Sequence, residues 1–185
     1  MFPTPNNFSL ERVLRIAEVF CRSVDTINTW VAEVIQWLCL PMVIIVTIEV
    51  ILRYVFNRPT IWSWDISIQI LALLTALGAG YALLQGTHVR VDVIVSRLPP
   101  RVNVIIDLVM MLLFFFGVGL LMWWFKDEML DSIAVREVWE SLWAPPLYPL
   151  KVIMFVGICL LLLQGLAKFI RDLIIITHPR LGKQL

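Results

Sequence analysis

Glu33 and Glu49 are the acids set most deeply in apolar sequence, Arg53 follows Glu49 by one helical turn, and His88 and His178 are the chain's two imidazoles. Each type suggests a chemistry. A carboxylate inside an apolar helix could exchange protons for cations, imidazoles from different helices could hold haem, and Cys21, Cys39 and Cys159 could bind a metal or pair as a disulfide. The spacing favours none of these. Glu33 and Glu49 are ~24 Å apart along a helix, so a centred span puts both near the edges of the hydrocarbon. Glu49 and Arg53 stand in the favourable i,i+4 order for a boundary ion pair, with contact to a partner subunit as the alternative. His88 falls at a helix end and His178 in the tail, which argues against haem. Cys39 and Cys159 lie within apolar stretches, and Cys21 on a helix assigned to the reducing cytoplasm, so no disulfide, metal or other cofactor is expected. No nucleophile–base pair is recognisable, and no enzymatic activity is expected.

The elements that carry these residues are membrane-sized. The chain is 60% hydrophobic and 16% charged with a mean hydropathy of +0.87, more apolar than a soluble core of 185 residues would need. Four long apolar stretches without period-2 alternation predict an all-α integral membrane protein of four transmembrane helices, a single membrane domain. A hydrocarbon core of ~30 Å asks for roughly 20 residues at ~1.5 Å each. Allowing boundary charges to snorkel, the spans are expected at 27–56, 66–87, 102–125 and 146–169, with a tail over 170–185. Pro41 is a candidate kink in the first.

Ahead of the first span, Leu10, Val13, Leu14, Ala17, Cys21 and Val24 recur at helical spacing against Glu11, Arg12, Arg15, Glu18 and Arg22. This predicts an amphipathic cytoplasmic helix over 9–25, docked on the membrane surface or a partner, or else packed on the bundle. No cleavable signal peptide is visible, so the first span is expected to act as signal anchor. Lys and Arg concentrate in the amino-terminal segment, the second connection and the tail, which predicts both termini in the cytoplasm. Six of the eight tryptophans, Trp62, Trp64, Trp123, Trp124, Trp139 and Trp143, then form an outer aromatic belt. Val135, Val138, Trp139 and Leu142 share a spacing that predicts a short interfacial helix within 129–143, between spans three and four.

Ala72, Ala76 and Gly80 give the second span a small-residue face for close packing against another span of this chain or a second polypeptide, with Gly117 and Gly119 as candidates for an intrachain opposite half. Ser63 and Asp65 stand where they could cap that span's amino terminus. His88, Arg90 and Asp92 stand at its far end, where His88 and Asp92 would share a helix face.

Read in order, Glu49-Val50-Ile51-Leu52-Arg53-Tyr54-Val55-Phe56, Trp62-Ser63-Trp64-Asp65, Leu77-Gly78-Ala79-Gly80-Tyr81-Ala82, His88-Val89-Arg90-Val91-Asp92 and Leu98-Pro99 resemble the small membrane subunit of tripartite ATP-independent periplasmic (TRAP) transporters, the DctQ-like family. In the later half, Trp139-Glu140-Ser141, Pro149-Leu150-Lys151 and Leu163-Gln164-Gly165 look like a branch of that family with an extended third connection. Asp65 stands where the family pattern commonly has Glu, a change that keeps the charge and shortens the side chain. The resemblance implies a bacterial inner-membrane symport system in which this chain binds no substrate. It would act as stator for a large multi-span transport subunit and as part of the landing surface for a periplasmic substrate-binding protein. Glu49, Arg53, Trp62, Asp65, Gly80, His88, Arg90, Asp92, Trp139 and Trp143 then become candidates for subunit contact or membrane anchoring. Lipids and the two protein partners are expected, and nucleic acid is not. The competing classes are an autonomous four-helix proton-coupled exporter, usually shorter and with a deeper acid, and a membrane anchor of an electron-transfer complex, which the histidine positions disfavour.

Overall fold

A computed structural model describes residues 5–86 and 100–177. The described chain is helical: α1 (Pro5–Ile35), a 3-10 turn (Gln36–Leu38), α2 (Cys39–Tyr54), α3 (Ser63–Leu84), α4 (Pro100–Val135) and α5 (Tyr148–Thr177). Four helical stretches, Arg15–Tyr54, Ser63–Leu84, Val109–Val135 and Tyr148–Ile174, are long and apolar enough to cross a membrane.

Two boundaries differ from expectation. No break separates an amphipathic helix from the first span near residue 25; α1 runs unbroken to Ile35, and the interruption comes at Gln36–Leu38. Pro41 accounts for it, since proline has no N–H for the carbonyl of Trp37, four residues earlier, and its ring crowds that carbonyl. The chain tightens there into a 3-10 turn, with the Cys39 N–H bonded to the carbonyls of Gln36 and Trp37. Likewise, α4 continues to Val135 in place of a separate helix within 129–143, and a non-helical loop follows. Arg136 adopts a left-handed conformation (φ 50°), while its N–H bonds Ile133 O at 3.3 Å and the Glu137 N–H bonds Ser132 O at 3.0 Å. This pair of bonds is a Schellman stop, which closes α4 just where the sequence pattern suggested continuation. At the next start, Pro149 falls within the first turn of α5, where a missing N–H costs nothing.

Packing is open. α5 is the hub, lying against α3, α4 and α1, while α1 also crosses α3 and α2 leans chiefly on α3. Backbone meets backbone most tightly, among the described glycines, between α5 and α3: a methyl placed on Gly157 would come within 2.6 Å of the Ala76 carbonyl oxygen. The small-residue face of α3 is therefore used within the chain. Its counterparts are Gly157 and, at Gly80, Asn28 of α1, whereas Gly117 and Gly119 of α4 face open space. α4 meets α5 through large groups, with Phe115 edge-on to Phe169 at 6.1 Å and Phe114 lying over Gly165.

The amphipathic pattern of α1 has a visible use. Cys21 and Val24 pack with Ala167 of α5, and Arg12, Arg15, Glu18 and Arg22 stay exposed.

Candidate functional site

At the end of the bundle where α2 stops and α3 and α5 begin, charged groups are tied in three places. Glu49, 9% exposed, receives Arg53 Nη2 at 2.6 Å and Nε at 3.1 Å on one oxygen, and the Thr60 N–H at 3.1 Å and the Thr60 hydroxyl on the other. The expected ion pair is present, and it does more than mark a boundary. It clamps the loop between α2 and α3, which turns on Asn57 at φ 53°. Asp65, 3% exposed, accepts the hydroxyl of Ser141 and so joins the first turn of α3 to the loop before α5. Neither Ser63 nor Asp65 caps α3; the cap position is Trp62, with no side-chain cap bond, and Asp65 adds to its bond with Ser141 a negative charge at the positive helix end. Third, Lys151 of α5 bridges Glu128 of α4 at 2.6 Å and Glu137 at 2.5 Å. The Lys151 ammonium holds the Glu137 carboxyl below the usual carboxylate range, against a smaller upward push from burial. Backbone bonds from Trp139 N to Pro145 O (2.8 Å) and Leu147 N to Glu137 O (2.9 Å) fold this loop into a short hairpin.

The opposite end holds a network the sequence did not announce. Asn28 Nδ2 donates to Gln164 Oε1 at 2.8 Å, Gln164 Nε2 donates to Asp25 Oδ1 at 2.8 Å, and Arg171 Nη2 reaches Asp25 Oδ2 at 2.6 Å. Asn28 and Gln164 are 0% and 1% exposed, so α1 and α5 are joined by polar groups removed from lipid. The available signal was modest. Asp25 and Asn28 share one face of α1, and Gln164 and Arg171 lie two turns apart on α5, but nothing in either segment says that the faces meet.

Along α5, Lys151 and Arg171 are separated by ~30 Å, the thickness of a hydrocarbon core. The two tied ends are therefore spaced as the two faces of a hydrocarbon core would be. Within that frame Glu33 lies ~12 Å beyond Asp25 along α1, deeper than the edge position expected from centring the span. It is exposed, and its carboxylate has no hydrogen bond or ion pair among the described residues.

A family model, described as the DctQ component of tripartite ATP-independent periplasmic transporters, matches residues 42–174. The chain belongs to the DctQ family. No curated protein matches it. The matched part of this DctQ protein opens one residue after Pro41 and takes in most of α2, all of α3 and α4 and nearly all of α5, so α1 precedes it. With its four membrane-length helices it is a multi-pass inner-membrane component of a transport system.

Of the residues singled out in this DctQ chain, Glu49, Arg53, Trp62 and Asp65 gather at one end with the Trp139–Trp143 loop, and Trp143 is exposed. Gly80 belongs to the other half, against Asn28. His88, Arg90 and Asp92 lie outside the described residues, as do Leu98, Pro99 and the tail beyond Thr177.

Proposed function

We propose that this DctQ protein is the fixed, non-substrate-binding companion of a large multi-span transport subunit in an ion-coupled importer of organic acids. It enlarges and steadies the stationary part of the transporter and offers its loop-tied end to a periplasmic substrate-binding protein. The observation that carries this reading is the commitment of charge to structure: Glu49, Asp65, Lys151, Asp25 and Arg171 are bonded to one another or to loops at the two ends of the bundle. A protein that moved an ion by itself would set several such groups facing one another at mid-depth, whereas among the described residues between the two tied ends this chain has the single acid Glu33.

Orientation follows from the excess of Lys and Arg on one side, including Arg12, Arg15, Arg22 and Arg171, which assigns both termini to the cytoplasm. The Glu49 clamp and the Trp139–Trp143 loop are then periplasmic. There Trp64, Trp123 and Trp124 are exposed and suit the headgroup layer. Glu128 and Glu137 are held by Lys151, so exposed Asp131 and Glu140 are the stronger candidates for meeting the binding protein. The exposed basic residues of α1 are then on the cytoplasmic side.

Coexpression with the large subunit tests the assignment: the two chains should copurify. Arg53→Ala or Asp65→Ala should weaken assembly or uptake severalfold without altering which substrate is taken. A changed substrate preference would mean that this chain lines the substrate pocket.

A further inference from the structure

The 3-10 turn opens a groove of about 280 Å³ between the end of α1, the start of α2 and the middle of α3. Glu33, Gln36 and Cys39 line it from one side, Leu74 and Tyr81 from the other, and Gly78 lies at its base. The groove has three properties that act together. It lies within the hydrocarbon frame set by Asp25–Arg171 on one side and Glu49–Arg53 on the other. Its rim carries the exposed Glu33 carboxylate, unpartnered among the described residues, although an ionised acid at that depth is costly without a counter-charge. Its floor is Gly78, where only Ile35 Cδ1 lies close, at 3.7 Å from an added methyl, so a neighbouring backbone can approach. Leu40, Val43 and Ile44 continue the exposed apolar surface along α2.

We propose that this groove receives one transmembrane helix of the large transport subunit, and that this helix brings a lysine or arginine side chain to Glu33. The assignment rests on the companion role proposed above and adds where the partner docks and what chemistry it carries. Charge complementarity selects the occupant. Lipid acyl chains satisfy the apolar wall and leave the carboxylate unanswered, whereas a cationic side chain on a packed helix satisfies both. The volume is just short of the ~300–1,000 Å³ usual for small-molecule pockets, which suits inserted side chains better than a bound solute.

The test uses the full chain coexpressed with the large subunit. Copurification should fall by roughly 30-fold or more for Glu33→Lys, the low end for breaking a buried charged pair, and should return when the facing basic residue is changed to Glu. Because Glu33→Lys could disturb the chain itself, a photoreactive benzophenone side chain replacing Gln36 gives an independent readout. Irradiation in membranes should yield an adduct with the large subunit. If the wild-type pair assembles but Glu33→Lys assembles equally well, or the benzophenone captures only lipid, the groove assignment is overturned while the companion role stands. Failure of the wild-type pair to assemble overturns both.

Discussion

α5 and α2 are similarly apolar helices that differ in what surrounds them. α5 touches three other helices and buries Gly157, Ile158, Gln164, Gly165 and Ala167, whereas α2 leans chiefly on α3 and buries only Glu49. The sequence of α2 contains neither glycine nor alanine. In lipid, hydrophobicity does not drive helices together, because acyl chains are as apolar as leucine; close packing and hydrogen bonds do. α5 has small residues and an amide to offer, and α2 has only large aliphatic groups outside its acid clamp. The hub is therefore built for this chain's own fold, and the flank is left for lipid or a partner.

Substitutions can break or sharpen that contrast. The largest effect is expected for Gly157→Leu in the hub. Backbone of Ala76 stands 2.6 Å from the first added carbon, so the helices must part, at a cost of ~1–3 kcal/mol or more in overpacking. Thermal unfolding in detergent should show a clear loss of stability, and an unchanged midpoint would mean that α3 and α5 do not meet there. Next, Gln164→Leu removes both bonds that join Asn28 to Asp25 and should cost ~1–2 kcal/mol in the same assay. Adding Asn28→Leu should recover part of it, since it removes a buried amide that would keep only its bond to the Val24 carbonyl.

A smaller effect concerns the loop before α5. Because Lys151 lowers the folded-state Glu137 carboxyl, this contact stabilises the loop above the ordinary carboxylate range and is lost as pH falls through the lowered value. Fluorescence of the loop tryptophans should change in that acidic window, and Glu137→Gln should remove this component. Smallest is Ile44→Ala on the flank, exposed by 56%, which should shift the isolated chain by less than ~0.5 kcal/mol. Its effect should appear only when a partner is present.

The four spans were legible because uncharged runs of that length have few other uses, and the Glu49–Arg53 pair because both members lie one turn apart on one helix. What escaped was set by contacts between distant segments. Ser141 and Asp65 are 76 residues apart, and Asp25 and Arg171 are 146 apart, so neither pairing has a local periodic signal. The interfacial-helix pattern within 129–143 failed for a local reason instead. Arg136 takes a left-handed stop usually given to glycine, and no glycine marked it.

Solute flux in proteoliposomes tests most directly whether this DctQ chain acts by holding another protein. With the large subunit and binding protein present, organic-acid uptake should require this chain, and vesicles containing it alone should carry neither organic acid nor cation. Flux through vesicles containing this chain alone would contradict the account.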